Sequence, residues 1–323
     1  ATGKGLKAQP ESYYMTRFAQ GATIVPRSFW FVQITPSPLG FNPDLLPLET
    51  AERALQEAKD AYKSVFSKDT VESRFIYATL LSTDLLPFAH LDYRMVVLPI
   101  EPEGDHYKLI DANKAQRQGF LHLARWLKNA EKEWTNRRGA KAELMSIYER
   151  LDRVHGLTYQ NPLTKYWVIY NTSGTFLTAA VVENQPIEFE VQGQRITTRG
   201  YIVDTKTYFC ELNSHQEAFF LTTVLNSPIT DKLIKPMQSR GLYGPRDVHK
   251  KPLELPIPQF DAGNVAHSRL SELGKTCSAK VRSWLESDGA GRITSIGKLR
   301  GMVREMLKDE LSEIDELVKK ILE

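Results

Sequence analysis

Tyr166-Trp-Val-Ile-Tyr-Asn-Thr-Ser-Gly174, Phe176-Leu-Thr-Ala-Ala-Val-Val182 and Tyr201-Ile-Val-Asp-Thr-Lys-Thr-Tyr-Phe-Cys210 decide the fold. β-Branched and aromatic residues dominate all three, and turn-forming clusters separate them: Asn171-Thr-Ser-Gly174, Glu183-Asn-Gln-Pro186 and Gln192-Gly193. With the shorter runs Ile187–Val191 and Arg195–Thr198 they predict a β-rich block over residues 157–262.

Working outward toward the amino terminus, Ala22–Ile34 also reads as strand, with Pro26 interrupting it or placing it on an edge. Ala54, Ala58, Ala61 and Val65 recur at helical spacing and predict a helix from about Thr50 to Val65. Strand-like runs return at Phe75–Leu81 and Tyr93–Ile100 and complete a first part over 1–110. Over 111–156 the period becomes helical. Phe120, Leu123, Leu127 and Trp134 share one face, and Leu144, Ile147, Tyr148 and Leu151 another. The break at Asn136-Arg-Arg-Gly139 predicts two helices joined by a basic turn, inserted between the strand-rich parts and projecting from them.

Toward the carboxy terminus, Ser214-His-Gln-Glu217 has the spacing of a reciprocal capping box and predicts a helix to about Leu225. Leu253-Glu-Leu-Pro-Ile-Pro258 reads as a short proline-flanked strand. Residues 263–323 predict helices over Asn264–Leu285 and Ser295–Ile321. In the second, the apolar stripe Ile296, Leu299, Val303, Met306 shifts once to Leu307, Leu311, Ile314, Val318, Ile321. The expected class is α+β: a strand-rich body with an inserted helical pair and C-terminal helices.

The 323 residues suit two domains or one elaborated unit, and 41% hydrophobic with 25% charged residues is an ordinary folded composition. No apolar run reaches the ~18 residues of a membrane-spanning helix, so no membrane partner is expected. The first ten residues are polar and lack a signal-type apolar run. The chain begins at Ala1 rather than a methionine, which is expected either of a fragment or of a numbering that does not begin at the native start. Two cysteines, Cys210 and Cys277, cannot build a disulfide framework or a four-ligand zinc site, and are expected as buried thiols in a reducing cytoplasm. The seven histidines show no metal-binding spacing, so no metal site is expected.

Charge is segregated. Arg117–Arg153 holds nine basic residues against five acidic, and Lys232–Lys251 six against Asp247 alone, in a chain whose net charge is +3. Such clustering suits a polyanion. No Gly-rich strand–turn–helix loop is present, and Gly241-Leu-Tyr-Gly244, followed by Pro245, reads as a tight turn. There is no Gly-x-Ser-x-Gly elbow.

Four segments, in order, resemble the region that follows the catalytic domain in adenine-specific DNA methyltransferases of restriction-modification and phage-defence systems. They are Gln20-Gly-Ala-Thr-Ile-Val-Pro-Arg-Ser-Phe-Trp-Phe-Val32; Tyr148-Glu-Arg-Leu-Asp152 with Leu157-Thr-Tyr-Gln160 leading into Tyr166–Gly174; Glu217-Ala-Phe-Phe-Leu-Thr-Thr-Val-Leu-Asn-Ser227; and Gly241–Pro258 with Phe260-Asp261 and His267. The resemblance implies a target recognition domain that grips double-stranded DNA and reads base edges. It implies no catalysis by this chain and no cofactor in it. The catalytic domain would lie N-terminal to it in the parent enzyme and bind S-adenosylmethionine. Asn161-Pro-Leu-Thr164 invites comparison with the Asn-Pro-Pro-Tyr motif of such catalytic domains, but lacks the second proline and the aromatic, and is read as chance similarity.

The residues support the same class of function. Lys232, Lys235, Gln238, Ser239, Arg240, Tyr243, Arg246, His249, Lys250 and Lys251 interleave point charges suited to phosphate with forked groups suited to base edges. Arg137, Arg138 and Lys141 form a second candidate DNA-binding turn. Arg27, next to Pro26, is equally suited to a structural ion pair. Two other readings stay open. One is a protein-interaction module that docks a methyltransferase to a restriction or defence complex through the amphipathic C-terminal helix; the other is a free-standing enzyme of unfamiliar type.

Overall fold

The strand Tyr166–Asn171 is buried on both faces, which explains its unbroken apolar run. In this computed structural model, residues 11–37, 40–241, 244–287, 291 and 295–323 are described, with backbone alone for 240, 241, 244 and 245. The strand pairs antiparallel with Ala179–Glu183 on one side and Thr207–Leu212 on the other, and the two-residue strand Ala19–Gln20 adds to the outer edge of Thr207–Leu212. Register sets Val168 opposite Val181 and Cys210, and Ile169 opposite Ala180 and Phe209. Because side chains alternate across a strand, Val168, Tyr170, Val181 and Cys210 enter one core. Trp167, Ile169, Ala180 and Phe209 enter another, which they share with Ala78, Leu80 and Leu85 of the early chain. Parallel bridges Ala22–Asp204 and Ala78–Tyr201 further join the segments on either side of the helical block. The expected α+β class is what the structure shows.

The early chain builds its own core. Val32–Ile34, Leu45–Thr50 and Lys68–Glu72 form an antiparallel meander, with Leu46 and Leu48 turned inward at the period of two. Two expectations here are corrected. The run before Val32 is not continuous strand, because Arg27–Trp30 forms one helical turn after Pro26. The helix expected from Thr50 to Val65 is shorter, a helix at Glu52–Glu57 followed by a 3-10 turn at Asp60–Tyr62. Arg27 takes the structural role, pairing with Glu57.

The helical block does not project. Helix Leu121–Arg137 lays Leu123, Trp126, Leu127, Ala130 and Trp134 into the first core, and Trp126 Nε1 donates to Phe29 O at 3.0 Å. Its N-cap position is Phe120, which supplies no side-chain acceptor. Glu72 of the meander replaces one, its carboxylate accepting from the His122 and Leu123 amides at 3.1 and 2.8 Å. The helix is therefore fixed by tertiary partners. It ends at the Asn136–Gly139 break, and Ile147–Leu151 follows behind a capping box of Ser146 and Glu149.

The second core is closed by helices. His215–Asn226 is buried continuously from Ala218, and Val265–Glu286 crosses it. Ser214 Oγ accepts from the Glu217 amide at 3.3 Å, but the reciprocal bond expected of a capping box is absent. The Glu217 carboxylate instead accepts from Tyr14 OH at 3.1 Å, which ties the amino-terminal segment to this core. Leu253–Pro258 is not a strand: Lys251–Glu254 makes a 3-10 turn, and in the irregular chain that follows Ile257 O accepts from Tyr13 N at 2.9 Å. The last expected helix is two, Ile296–Met306 and Lys308–Leu322, broken at Leu307, and this break is the cause of the shift in the apolar stripe. Leu311, Ile314 and Val318 are buried against the rest of the second core. Cys210 and Cys277 are both buried, and burial pushes their thiols up to about 12. No described helix is long and apolar enough to cross a membrane.

The crossing of His215–Asn226 and Val265–Glu286 depends on Gly274. A Cβ there would lie 2.1 Å from Thr223 Oγ1 and 2.9 Å from Phe219 O. Gly274→Ala is expected to lower stability by roughly 1–3 kcal/mol, although alanine is the better helix former. Urea unfolding of the variant checks this; a midpoint equal to or above that of the parent would contradict the close packing.

Candidate nucleic-acid interface

The carboxy end of the central strand is shaped by Asn171. Its Nδ2 donates to Ser173 O and Phe176 O at 2.9 and 3.0 Å, and its Oδ1 accepts from the Thr178 amide at 2.8 Å. This closes residues 171–178 into a fixed turn at the rim of the sheet. The loop 246–250 docks on that turn. Gly174 N donates to Arg246 O at 2.9 Å, Val248 N and His249 N donate to Thr172 O at 3.1 and 3.0 Å, and Tyr170 OH donates to His249 O at 2.8 Å. Val248 is buried as the anchor, whereas Arg246, His249 and Lys250 are exposed. His249 adopts φ 40°, a conformation that a residue with a Cβ holds only when its surroundings fix it.

A second loop meets the same residue. Thr172 N donates to Lys206 O at 3.1 Å, so the turn Asp204–Thr207 lies beside the 246–250 loop. Asp204 folds this turn: its Oδ1 accepts from Lys206 N at 2.8 Å and its carbonyl accepts from Thr207 N and Oγ1 at 3.0 and 2.8 Å. Lys206 is exposed, and the exposed Gln20 carboxamide reaches across to Thr205 O at 2.7 Å. Lys206 was not among the sequence-derived candidates. The available signal was Asp-Thr-Lys-Thr at 204–207, an Asx-turn spelling that presents a lysine at its tip.

The candidates divide by what holds them. Lys232, Arg246, His249 and Lys250 are exposed at the surface, and Lys251 is partly engaged with Glu254 at 3.3 Å. Ser239 Oγ donates to the Asp247 carboxylate, bracing the loop from within. Lys235 is structural: its ammonium donates to Thr175 O, pairs with Asp231 at 3.4 Å and sits 5.5 Å from the Phe176 ring centre. Gln238 is buried, and neither polar atom of its side chain has a hydrogen-bond partner among the described residues, so it does not present its amide to a base. The Arg240 side chain and Tyr243 lie outside the described residues. Arg240 pairs with Pro245 and Gly241 with Gly244, while Leu242 and Tyr243, on which the tight turn read from the sequence falls, lie outside the described residues.

Arg137, Arg138 and Lys141 stand apart from this rim, on the first core. Arg137 binds Glu133 at 2.7 Å and Ala61 O at 3.0 Å, which ties the helix end to the 61–64 segment, and Arg138 donates to Met145 O at 3.1 Å, which staples the 138–145 segment. Only Lys141 of the three is exposed, beside Glu143 and Glu149 in a shallow depression. Asn161 Oδ1 accepts from the Leu163 amide at 2.8 Å in a local turn, and Thr164 is buried.

Two arginines of Ile296–Met306 lie beneath the 171–178 turn. Arg300 donates from Nε to Leu85 O and from Nη2 to Ser82 O at 3.0 and 2.6 Å; Arg304 donates to Leu177 O at 3.0 Å and stacks 4.7 Å from Phe176. Burial, with the charge of Arg304, pushes Arg300 down to about 10, still cationic at neutral pH. The exposed lysines and histidine of the rim thus stand over a fixed positive charge, although Asp231 and Asp315 offset part of the Arg304 field.

Burial pushes the Asp204 carboxyl up from 3.8 to about 6. The fold favours the protonated form, so the stability it contributes is complete below about pH 4 and lost as pH rises through about 6. Asp204→Asn keeps the acceptor for Lys206 N and removes the charge. The parent is expected to lose stability across that window while the variant stays level, ending about 1–3 kcal/mol more stable at neutral pH. Urea midpoints measured against pH decide this; parallel curves would show that Asp204 does not titrate there.

No family model matches the chain, and no curated sequence does. Among solved structures, the fold is similar to part of the Type IIL restriction-modification enzyme MmeI in complex with DNA, with a TM-score of 0.50 and 8% identity, covering 98% of this chain and 33% of that one. The type IIG restriction endonuclease BpuSI aligns with a TM-score of 0.36 and 12% identity, over 95% of this chain and 31% of that one. The chain thus spans about a third of the length of each.

Proposed function

We propose that this chain is the target recognition portion of an adenine-specific DNA methyltransferase of a restriction-modification, phage-defence system. In this reading it grips duplex DNA in the cytoplasm, while an N-terminal catalytic domain of the parent enzyme binds S-adenosylmethionine and transfers the methyl group. The observation that carries the proposal is the pair of loops, 204–207 and 246–250, bonded to the same Thr172 at the rim of the sheet. They expose Lys206, Arg246, His249 and Lys250 on a rigid base. The fold shared with a restriction-modification enzyme whose structure contains DNA supports it.

Ammonium groups suit phosphate oxygens and set register, whereas a guanidinium fork such as that of Arg246 matches a base edge or a phosphate bidentately. Lys235 and Gln238 drop out of the DNA-facing set because their positions in the fold occupy them. Docking through the C-terminal helix is the weaker reading. The stripe Leu311, Ile314 and Val318 is already covered within this chain, and Asp315, Glu310 and Glu313 of that helix bind Ser227, Lys280 and Arg269.

Replacing Lys206 and Lys250 together by alanine should weaken binding to all duplexes alike. It should also flatten the log–log salt dependence by roughly 0.9 for each phosphate no longer neutralised. Lys235→Ala should lower the melting temperature and leave that slope unchanged. Affinity measured across a salt series decides: an unaltered slope in the double variant contradicts the proposed grip. In methyl-transfer assays the chain alone should label no DNA, and labelling would overturn its assignment as the recognition part.

A further inference from the structure

A second exposed surface continues from this rim, on the segment 153–163. Its base is held tightly. Asp152 Oδ1 accepts from the Leu157 and Thr158 amides at 3.1 and 2.9 Å, and its Oδ2 accepts from Thr158 Oγ1 at 2.8 Å. The buried Gln160 side chain bridges Gly156 O and Val203, and Tyr107 N donates to Thr158 O at 2.9 Å. Gly156 presses against the strand edge at Gly21, where a Cβ would come within 2.8 Å of Gly21 O. Gly21 follows Gln20, whose side chain reaches the Lys206 turn, so this segment and the basic loops share one continuous edge.

On that fixed base the tip is held in an unfavourable form and presented to solvent. Val154 and His155 adopt φ 52° and 57°, a left-handed conformation that is an outlier for a β-branched residue. Such strain persists only where the surroundings impose it, and it gathers at functional positions. Val154 is 83% exposed and Tyr159 72% exposed. The His155 and Tyr159 rings stack on each other, 4.7 Å between centroids at 18°. The partly buried Asp152 carboxylate lies 3.4 Å from His155 Nδ1; from Arg153 to Val182 the sequence contains no further carboxylate, and Arg153 and Lys165 are exposed. A purely apolar protein partner is poorly matched by a strained tip with Arg153 exposed beside it. A polyanion that offers flat aromatic faces is matched in both charge and shape.

We propose that the His155–Tyr159 pair is a stacking platform for a nucleobase unstacked from the duplex that the neighbouring loops grip. This rests on the DNA-binding reading and adds a stacking interaction to it. Aromatic stacking is tolerant of sequence and insensitive to salt, and opening a base is easiest where pairing is already faulty. The chain should therefore bind a mixed-sequence duplex carrying one mismatched pair several-fold more tightly than the fully paired duplex. Tyr159→Ala should abolish that preference, cost roughly 5- to 100-fold on the mismatched duplex, and leave the salt slope unchanged. Tyr159→Phe should retain both affinity and preference. Because Tyr159 is exposed, the alanine variant should melt like the parent, which separates a missing platform from a failure to fold.

A preference that survives Tyr159→Ala, or no preference in the parent chain, overturns the platform. If the Lys206 and Lys250 changes still flatten the salt slope in that case, the grip on DNA stands without it. If Tyr159→Ala leaves DNA binding intact but prevents association with the parent's catalytic domain, the surface is a protein contact and the proposal is wrong.

Discussion

The burial of Tyr166–Asn171 on both faces is the constraint on which the rest of the molecule depends. A strand of this kind must satisfy its backbone through neighbours on both sides, and here Ala179–Glu183 and Thr207–Leu212 do so. Its alternating side chains then bind two separate layers, helices on one face and the early chain on the other. The early chain and the C-terminal helices also meet each other, where Arg300 donates to Leu85 O and Ser82 O and where Leu86, Phe88 and Ala89 enter the second core, but both are organised around this strand. Polar clips reinforce the arrangement at its edges. Asn226 accepts from Ala179 N and donates to Ala179 O at 3.0 and 2.8 Å, which fastens the end of the buried helix to the sheet.

Where that strand ends, rigidity turns into presentation. Asn171 closes the turn, Thr172 holds a loop on each side, and the arginines beneath stay charged despite burial because main-chain carbonyls accept from them. Loops that reach a ligand from such a base lose little freedom on binding, which suits recognition of a fixed double helix. The same logic explains why several basic residues are not at the surface. Lys235, Arg137 and Arg138 donate to carbonyls of neighbouring chain, so their charges close loops that a purely apolar core would leave without partners.

Much of the fold was legible because periodicity and termination signals are local. The strands read at 166–170, 176–182 and 201–210, the helix behind Ser214 and the stripe of the last helices follow from spacing, although the second and third strands begin only at Ala179 and Thr207. What the sequence hid was tertiary. Glu72 caps a helix fifty residues away, Glu217 answers Tyr14 rather than its own cap, and the stripe shift at Met306–Leu307 was a helix break that spacing could not separate from a bend. Charge clustering located the 246–250 loop but could not tell exposed lysines from stapled ones, since both spell alike. Lys206 was missed because a single lysine in a strand-rich run adds nothing to a count; only the Asx turn at Asp204 sets it apart. Tyr159 was quoted within a family-like segment, yet its exposure rests on Gln160 and Gly156 being held from behind.

The central claim is that the sheet rim, and not the 138–145 segment, faces DNA. Differential acetylation of lysines with and without duplex DNA tests it most directly, because each lysine reports its own surface. The account predicts that duplex shields Lys206, Lys250 and Lys165 while Lys141 reacts equally in both conditions. Shielding of Lys141 with Lys206 and Lys250 left open would contradict it.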